Sequence, residues 1–185
     1  MNNWLNLEGN VCAVTGALGG MGVEICREFA RNGADVVLLD LDEDKVKTSA
    51  AGLSDEFGIH AEGYRMDATC EDEVQAAVDA TVRDFGRVDV LVNTAGILRF
   101  APMEDLPLSD WDAVIKVNLT GTFIASQRFG RQMIKQGAGR LVHISTAASY
   151  QPETFSGVYS STKAGVNMMS KMMAAEWGPY GVRSN

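Results

Sequence analysis

The chain has 185 residues, enough for one domain of ordinary size and too few for two. Its composition, 46% hydrophobic and 22% charged, excludes a disordered or low-complexity chain. The net charge of −8 is uneven: residues 1–92 carry 18 acids and 7 bases, and residues 93–185 carry 6 acids and 9 bases. An acidic half of this kind argues against nucleic acid as a partner, which is bound through basic stripes. A chain this long buries about 70% of its unfolded surface, so it needs no disulfide or metal to hold its core. Cys12, Cys26 and Cys70 form no C-x-x-C and read as small apolar residues of a reducing compartment. His60 and His143 lack ligand spacing, so no metal is expected. With no secretory leader at the N-terminus and no run of eighteen apolar residues, the expectation is a cytoplasmic protein with no membrane partner.

The elements alternate along the chain. Val11–Thr15 is a short apolar run that ends in glycines, which predicts a buried strand. Residues 20–32 predict a helix closed by Gly33. Asp35 to Asp40 is a second buried strand, and residues 42–57 are a charged helix with Gly58 after it. Residues 61–66 read as a weaker strand. Residues 71–85 carry Val74, Ala77, Val78, Thr81, Val82 and Phe85 on one helical stripe. Asp89–Asn93 is a fourth strand. A long helix is expected over 109–136, interrupted near Asn118, then a fifth strand from Arg140 to Ser145 and a helix over 157–177. Continuous apolar strands alternating with helices give a doubly wound parallel sheet, the Rossmann fold. Ligands of such sheets bind beyond the carboxyl ends of the strands.

The first strand runs into Thr15-Gly16-Ala17-Leu18-Gly19-Gly20-Met21-Gly22. Glycines between a strand and a helix permit a tight turn and let a pyrophosphate reach the backbone at the helix N-terminus. Asp40 ends the second strand about 20 residues on, where a carboxylate can accept from a ribose 2′-hydroxyl and repel a 2′-phosphate. No Lys or Arg lies in the loop, so NAD is expected rather than NADP. Asp40 could also serve as a helix N-cap.

These residues resemble the short-chain dehydrogenase/reductase family, in its shorter branch. Thr15, Gly16, Gly20 and Gly22 fit that branch's T-G-x-x-x-G-x-G, and Asn93-Thr94-Ala95-Gly96 is similar to its N-N-A-G. Asp67 follows the third strand, where the family's Asp binds adenine. Asn118 matches the family's catalytic Asn, and Tyr159 and Lys163 its Y-x-x-x-K. The resemblance spans nearly the whole chain. It implies a cofactor set of Gly16, Leu18, Gly20, Met21, Gly22, Asp40, Leu41, Asp67, Ala68, Asn93, Ala95, Gly96, Tyr159 and Lys163. Asn93 could equally be only a strand-end link.

Tyr159 and Lys163 are four apart on one helix, so they face the same way. A phenol ionises near pH 10 in water, and an ammonium beside it favours the phenolate. Tyr159 is thus the expected proton acceptor from an alcohol substrate, with Lys163 lowering its pKa and, as the resemblance implies, holding the nicotinamide ribose. Asn118 is expected to hold a relay water. The family's substrate-steadying Ser lies 13 residues before the Tyr, which here is Thr146, with Ser145 one earlier as the other candidate. Leu98-Arg99-Phe100 and Tyr150–Ser156 are candidate substrate walls, and Gln151, Glu153 and Thr154 hint at a hydroxylated substrate. Met168, Met169, Met172 and Met173 read as core or interface packing. In the family this helix packs on its copy, so the resemblance implies a homodimer or homotetramer.

The expected activity is hydride transfer between NAD(H) and a secondary alcohol or polyol, or its ketone. An NADPH-dependent carbonyl or 3-oxoacyl reductase, or a non-catalytic NAD-binding fragment, are the alternatives. Residues 181–185 resemble only the opening of the family's sixth strand. The chain is therefore expected to be a single cofactor-binding domain, residues 1–185, that carries the catalytic residues but lacks its C-terminal strands and substrate lid.

Overall fold

The computed structural model describes residues 5–185. Six strands form one parallel sheet: β1 (Val11–Thr15), β2 (Asp35–Asp40), β3 (Ala61–Arg65), β4 (Val90–Asn93), β5 (Gly139–His143) and β6 (Val182–Ser184). Their order is β3-β2-β1-β4-β5-β6, the doubly wound arrangement. The sixth strand, of which the sequence suggests only an opening, pairs with β5 over three residues. The helices are α1 (Gly20–Arg31), α2 (Glu43–Phe57), α3 (Glu71–Phe85), α4 (Leu108–Val114), α5 (Thr122–Gln136) and α6 (Gly157–Trp177).

The alternation of side chains along each strand divides the core into two layers. Val11 and Ala13 of β1 join Val37, Leu39, Leu91 and Leu141 on the face covered by α3, α5 and α6. Cys12 and Val14 join Val36, Leu38, Val90 and Val92 on the face covered by α1 and α2. Phe129 and Met133 of α5 are fully buried in the first layer. Burial raises the thiol pKa of Cys12 and pushes that of Cys26 up to about 12, so both are inert apolar fillers.

The amino ends of the strands are tied off by side chains. The Asp89 carboxylate accepts from the Val11 amide at 2.9 Å and from the Arg87 guanidinium. The Gln136 amide pairs with both backbone groups of Val88. This end is closed, and the carboxyl ends are left for the loops that carry chemistry.

The expected long helix is divided where the sequence suggests. Ile115–Gly121 is a π-helical turn between α4 and α5, and it buries Asn118. The expected fifth strand is displaced: its paired residues run from Gly139 to His143, so Ser145 and Thr146 lie in the following loop.

Replacing Phe129 with Ala should cost about 3–5 kcal/mol, from lost apolar burial plus the cavity left behind. Urea unfolding checks this; a loss below about 1 kcal/mol would mean the layer collapses around the gap.

Candidate active site

The glycine loop is shaped by close approaches that only glycine permits. Gly16 has φ +63°, and a Cβ there would lie 2.8 Å from the Ala95 Cα. A Cβ on Gly22 would lie 2.2 Å from the Gly16 carbonyl oxygen. The first turn of α1 has no side-chain cap and no acidic residue, so its amides are open to an anion. Asp40 braces the loop from the next strand: its carboxylate accepts from the Leu18 amide at 2.9 Å and the Leu41 amide at 2.7 Å. A carboxylate has about four acceptor positions, so capacity for a ribose hydroxyl remains. Asp40 is not the N-cap of α2; Asp42 is, accepting from the Lys45 amide.

A cleft of about 610 Å³ lies over these carboxyl ends. Of the expected cofactor set it brings together Gly16, Leu18, Asp40, Leu41, Asp67, Ala68, Ala95 and Gly96. Thr94 of the N-T-A-G motif lines it too, as do Ile97 and Lys116, which the sequence does not single out. Asp67 has one oxygen held by the Thr69 amide and hydroxyl, each at 2.8 Å, which keeps its pKa low. Met21 is exposed at the start of α1, and Gly20 and Gly22 contribute backbone. A dinucleotide fits this donor set: a glycine cradle and open amides for phosphate, with carboxylates for ribose and base.

Asn93 lies at the end of β4. It is 4% exposed and does not line the cleft. Its amide group lies 3.1 Å from the Ser126 hydroxyl and 3.2 Å from His143 Nδ1, so it is the strand-end link. His143 Nε2 lies 3.1 Å from the Ser184 hydroxyl, which meets Ser170 at 2.9 Å. This buried chain ties β4, β5, β6 and α6 together. Burial, with the Lys163 charge nearby, lowers the His143 pKa to about 4, so the ring is neutral.

Asn118 directs its side chain at the loop after β4. Its side chain accepts from the Ile97 amide and donates to the Ile97 carbonyl, both at 2.8 Å. Both of its polar atoms are engaged in clamping the loop after Gly96 to the π turn. Its carbonyl accepts from the Thr122 hydroxyl at 2.7 Å.

Lys163 is only 5% exposed. Its ammonium donates to the Ile144 carbonyl at 2.7 Å and lies 5.5 Å from the centre of the Tyr159 ring. Burial lowers its pKa. The Tyr159 phenol is raised instead of lowered, first by burial and then by the negative field of Glu153. The Thr146 hydroxyl accepts from the Ala148 amide at 3.3 Å, which leaves its proton free to donate. Ser145 donates toward Ser149 at 3.4 Å, and Ser149 is in turn fixed by Asn167 and the Thr146 carbonyl.

A second cleft, of about 690 Å³, opens between the loop after β4 and the loop before α6. Pro102, Met103 and Glu104 form one wall, where Leu98–Phe100 was expected. Arg99 lies 3.5 Å from Asp110. The other wall is Tyr150 and Pro152–Phe155, as expected but without Gln151 and Ser156. Of the four methionines of α6, Met173 is core and Met169 packs on it, while Met168 and Met172 are exposed.

A doubly wound sheet with a glycine cradle, Asp40, Asn118, Tyr159 and Lys163 at its carboxyl edge defines a nucleotide-dependent oxidoreductase architecture. The chain belongs to the short chain dehydrogenase family, whose model matches residues 10–185. It is 41% identical over 179 residues to D-threitol dehydrogenase of Mycolicibacterium smegmatis, covering 97% of this chain and 68% of that one. Its fold superposes on NAD+-bound xylitol dehydrogenase with a TM-score of 0.93 and 34% identity, covering 97% of this chain and 69% of the other. Gluconate 5-dehydrogenase from Burkholderia cenocepacia, solved with NADP and tartrate, gives a TM-score of 0.93 and 36% identity over 97% and 70% of the chains.

His143 generates a pH-dependent stability. In the unfolded chain its imidazole takes up a proton below about pH 6.5, whereas the folded chain holds it neutral down to about 4. Stability therefore falls as pH drops through that window, by about 3 kcal/mol in all. His143→Asn removes this contribution, so its urea midpoints near pH 7 and pH 4.5 should lie closer together than those of the wild type. An equal gap in both proteins would refute the assignment.

Proposed function

We propose that this protein is an NAD(H)-dependent dehydrogenase that interconverts a secondary alcohol or polyol and its ketone. The observation that carries the reading is Lys163, a buried ammonium with no carboxylate partner among the described residues, placed beside a tyrosine. A buried unpaired charge is costly and is retained where chemistry uses it. Relatives named for threitol and xylitol support the polyol half of the proposal.

In this reading one domain, residues 1–185, holds cofactor and catalytic groups together. Asp40 accepts from the adenosine ribose and disfavours a 2′-phosphate, and Leu41 offers no cation to offset it. Asp67 faces the base, and the α1 amides face the pyrophosphate. The dinucleotide, when bound, supplies the hydride acceptor or donor. Thr146, with its hydroxyl proton free, donates to the substrate oxygen, and Ser145 supports Ser149. Tyr159 takes the alcohol proton in oxidation and returns it in reduction. Lys163 keeps two donors for ribose hydroxyls. Asn118 positions the loop between the two clefts. A homodimer or homotetramer is part of the proposal, with Met168 and Met172 on the contacting helix. So is a cytoplasmic location, which suits three free thiols.

Tyr159→Phe should keep NADH affinity, read by fluorescence titration, and reduce turnover by about 10²–10⁴-fold. Residual activity within tenfold of wild type would remove Tyr159 from the role of proton carrier. Asp40→Ala combined with Leu41→Arg should shift the NADP-to-NAD ratio of kcat/KM upward by at least about tenfold. An unchanged ratio would reduce Asp40 to a brace for the loop.

A further inference from the structure

The second cleft carries a charge pattern that narrows the substrate. Tyr159 sits between two of its lining residues, Gly157 and Ser160, in the first turn of α6. The cleft's ionisable carboxylates are Glu104 and Glu153, one on each wall. Among the described residues, no Lys, Arg or His lines it. Of the nearby cations, Arg99 is paired with Asp110 and the Leu98 carbonyl, and Lys163 is buried with one donor on the Ile144 carbonyl.

Glu153 is held by its backbone, which leaves its carboxylate free. Its carbonyl accepts from the Ser156 amide at 3.3 Å and the Ser156 hydroxyl at 3.0 Å. The Ser156 hydroxyl meets Ser160 at 2.7 Å, and the Ser160 amide donates to the Ser156 carbonyl. The turn that carries Glu153 is thereby fastened to the first turn of α6. Glu153 thus lies on the cleft wall beside the turn that carries Tyr159, and its negative charge adds to burial in raising the phenol.

We infer that Glu153 is a specificity-determining residue that accepts hydrogen bonds from the hydroxyls of a neutral polyol and excludes sugar acids and other carboxylates. The inference rests on the proposed alcohol dehydrogenase reading and makes its substrate class definite. A carboxylate accepts strongly from hydroxyls, and charge assistance roughly doubles such bonds. A substrate carboxylate in the same cleft would face two like charges with no cation to offset them, and like charges brought together discriminate strongly.

The test compares a four- or five-carbon polyol with the sugar acid of the same length, by NADH formation and by calorimetric titration in the presence of NADH. The wild type should favour the polyol at least about tenfold in both kcat/KM and affinity. Glu153→Gln should narrow that preference about tenfold, and Glu153→Arg should reverse it. Equal use of acid and polyol by the wild type, or an unchanged preference in both variants, would overturn the inference. Intact NADH binding with no turnover of either compound would count against the dehydrogenase reading itself. In that case the titrations still decide the selectivity: tighter polyol binding that weakens in Glu153→Gln supports it, and equal binding refutes it.

Discussion

β1 is buried on both faces and paired in parallel on both edges. A strand in that position leaves its neighbours little freedom. Sliding β2 or β4 by one residue would exchange the two core layers, moving Val37 or Leu91 across the sheet. Register and direction are therefore fixed together, and the carboxyl ends of five strands gather along one edge. Thr15, Asp40, Asp67, Asn93 and the loop after His143 come from distant parts of the chain, yet they share that edge because the hydrophobic pattern permits no other arrangement.

Polar groups beneath the edge then decide which atoms face outward. Asn93 and His143 spend hydrogen bonds on Ser126, Ser184 and, through it, Ser170. Asn118 spends its side chain on Ile97. What lines the clefts includes Asp40, Asp67 and Lys116 over the glycine loop, and Glu104 and Glu153 beside the first turn of α6. The buried network is thus a filter as well as a tie.

The features legible in the sequence are those set by local chemistry. The glycine cradle and Asp40 follow from strand, turn and helix signals a few residues apart. The interruption near Asn118 also falls where expected. The less legible features depend on distance across the fold. Nothing near Asn93 shows that Ser126 and His143 will meet it there. The choice between Ser145 and Thr146 depends on β5 ending two residues early and on the 3₁₀ turn Ala147–Ser149, to which their hydroxyls bond differently. Four-residue spacing gives Tyr159 and Lys163 proximity but does not show their burial, which raises the one group and lowers the other. Lys116 is not legible because a lone lysine in a helical stretch carries no signal until the fold brings it to the cleft.

The π turn at Ile115–Gly121 has a consequence for how this chain tolerates change. It fits one more residue into a turn than a regular helix does, so the faces of α4 and α5 are offset. Removing one residue there would restore a continuous helix and rotate everything beyond it by about 100°. Asn118 would then lose its aim at Ile97, or α5 would turn Phe129 out of the core. The position is protected by arithmetic as much as by chemistry. Many side chains in that turn could be exchanged, but its length could not.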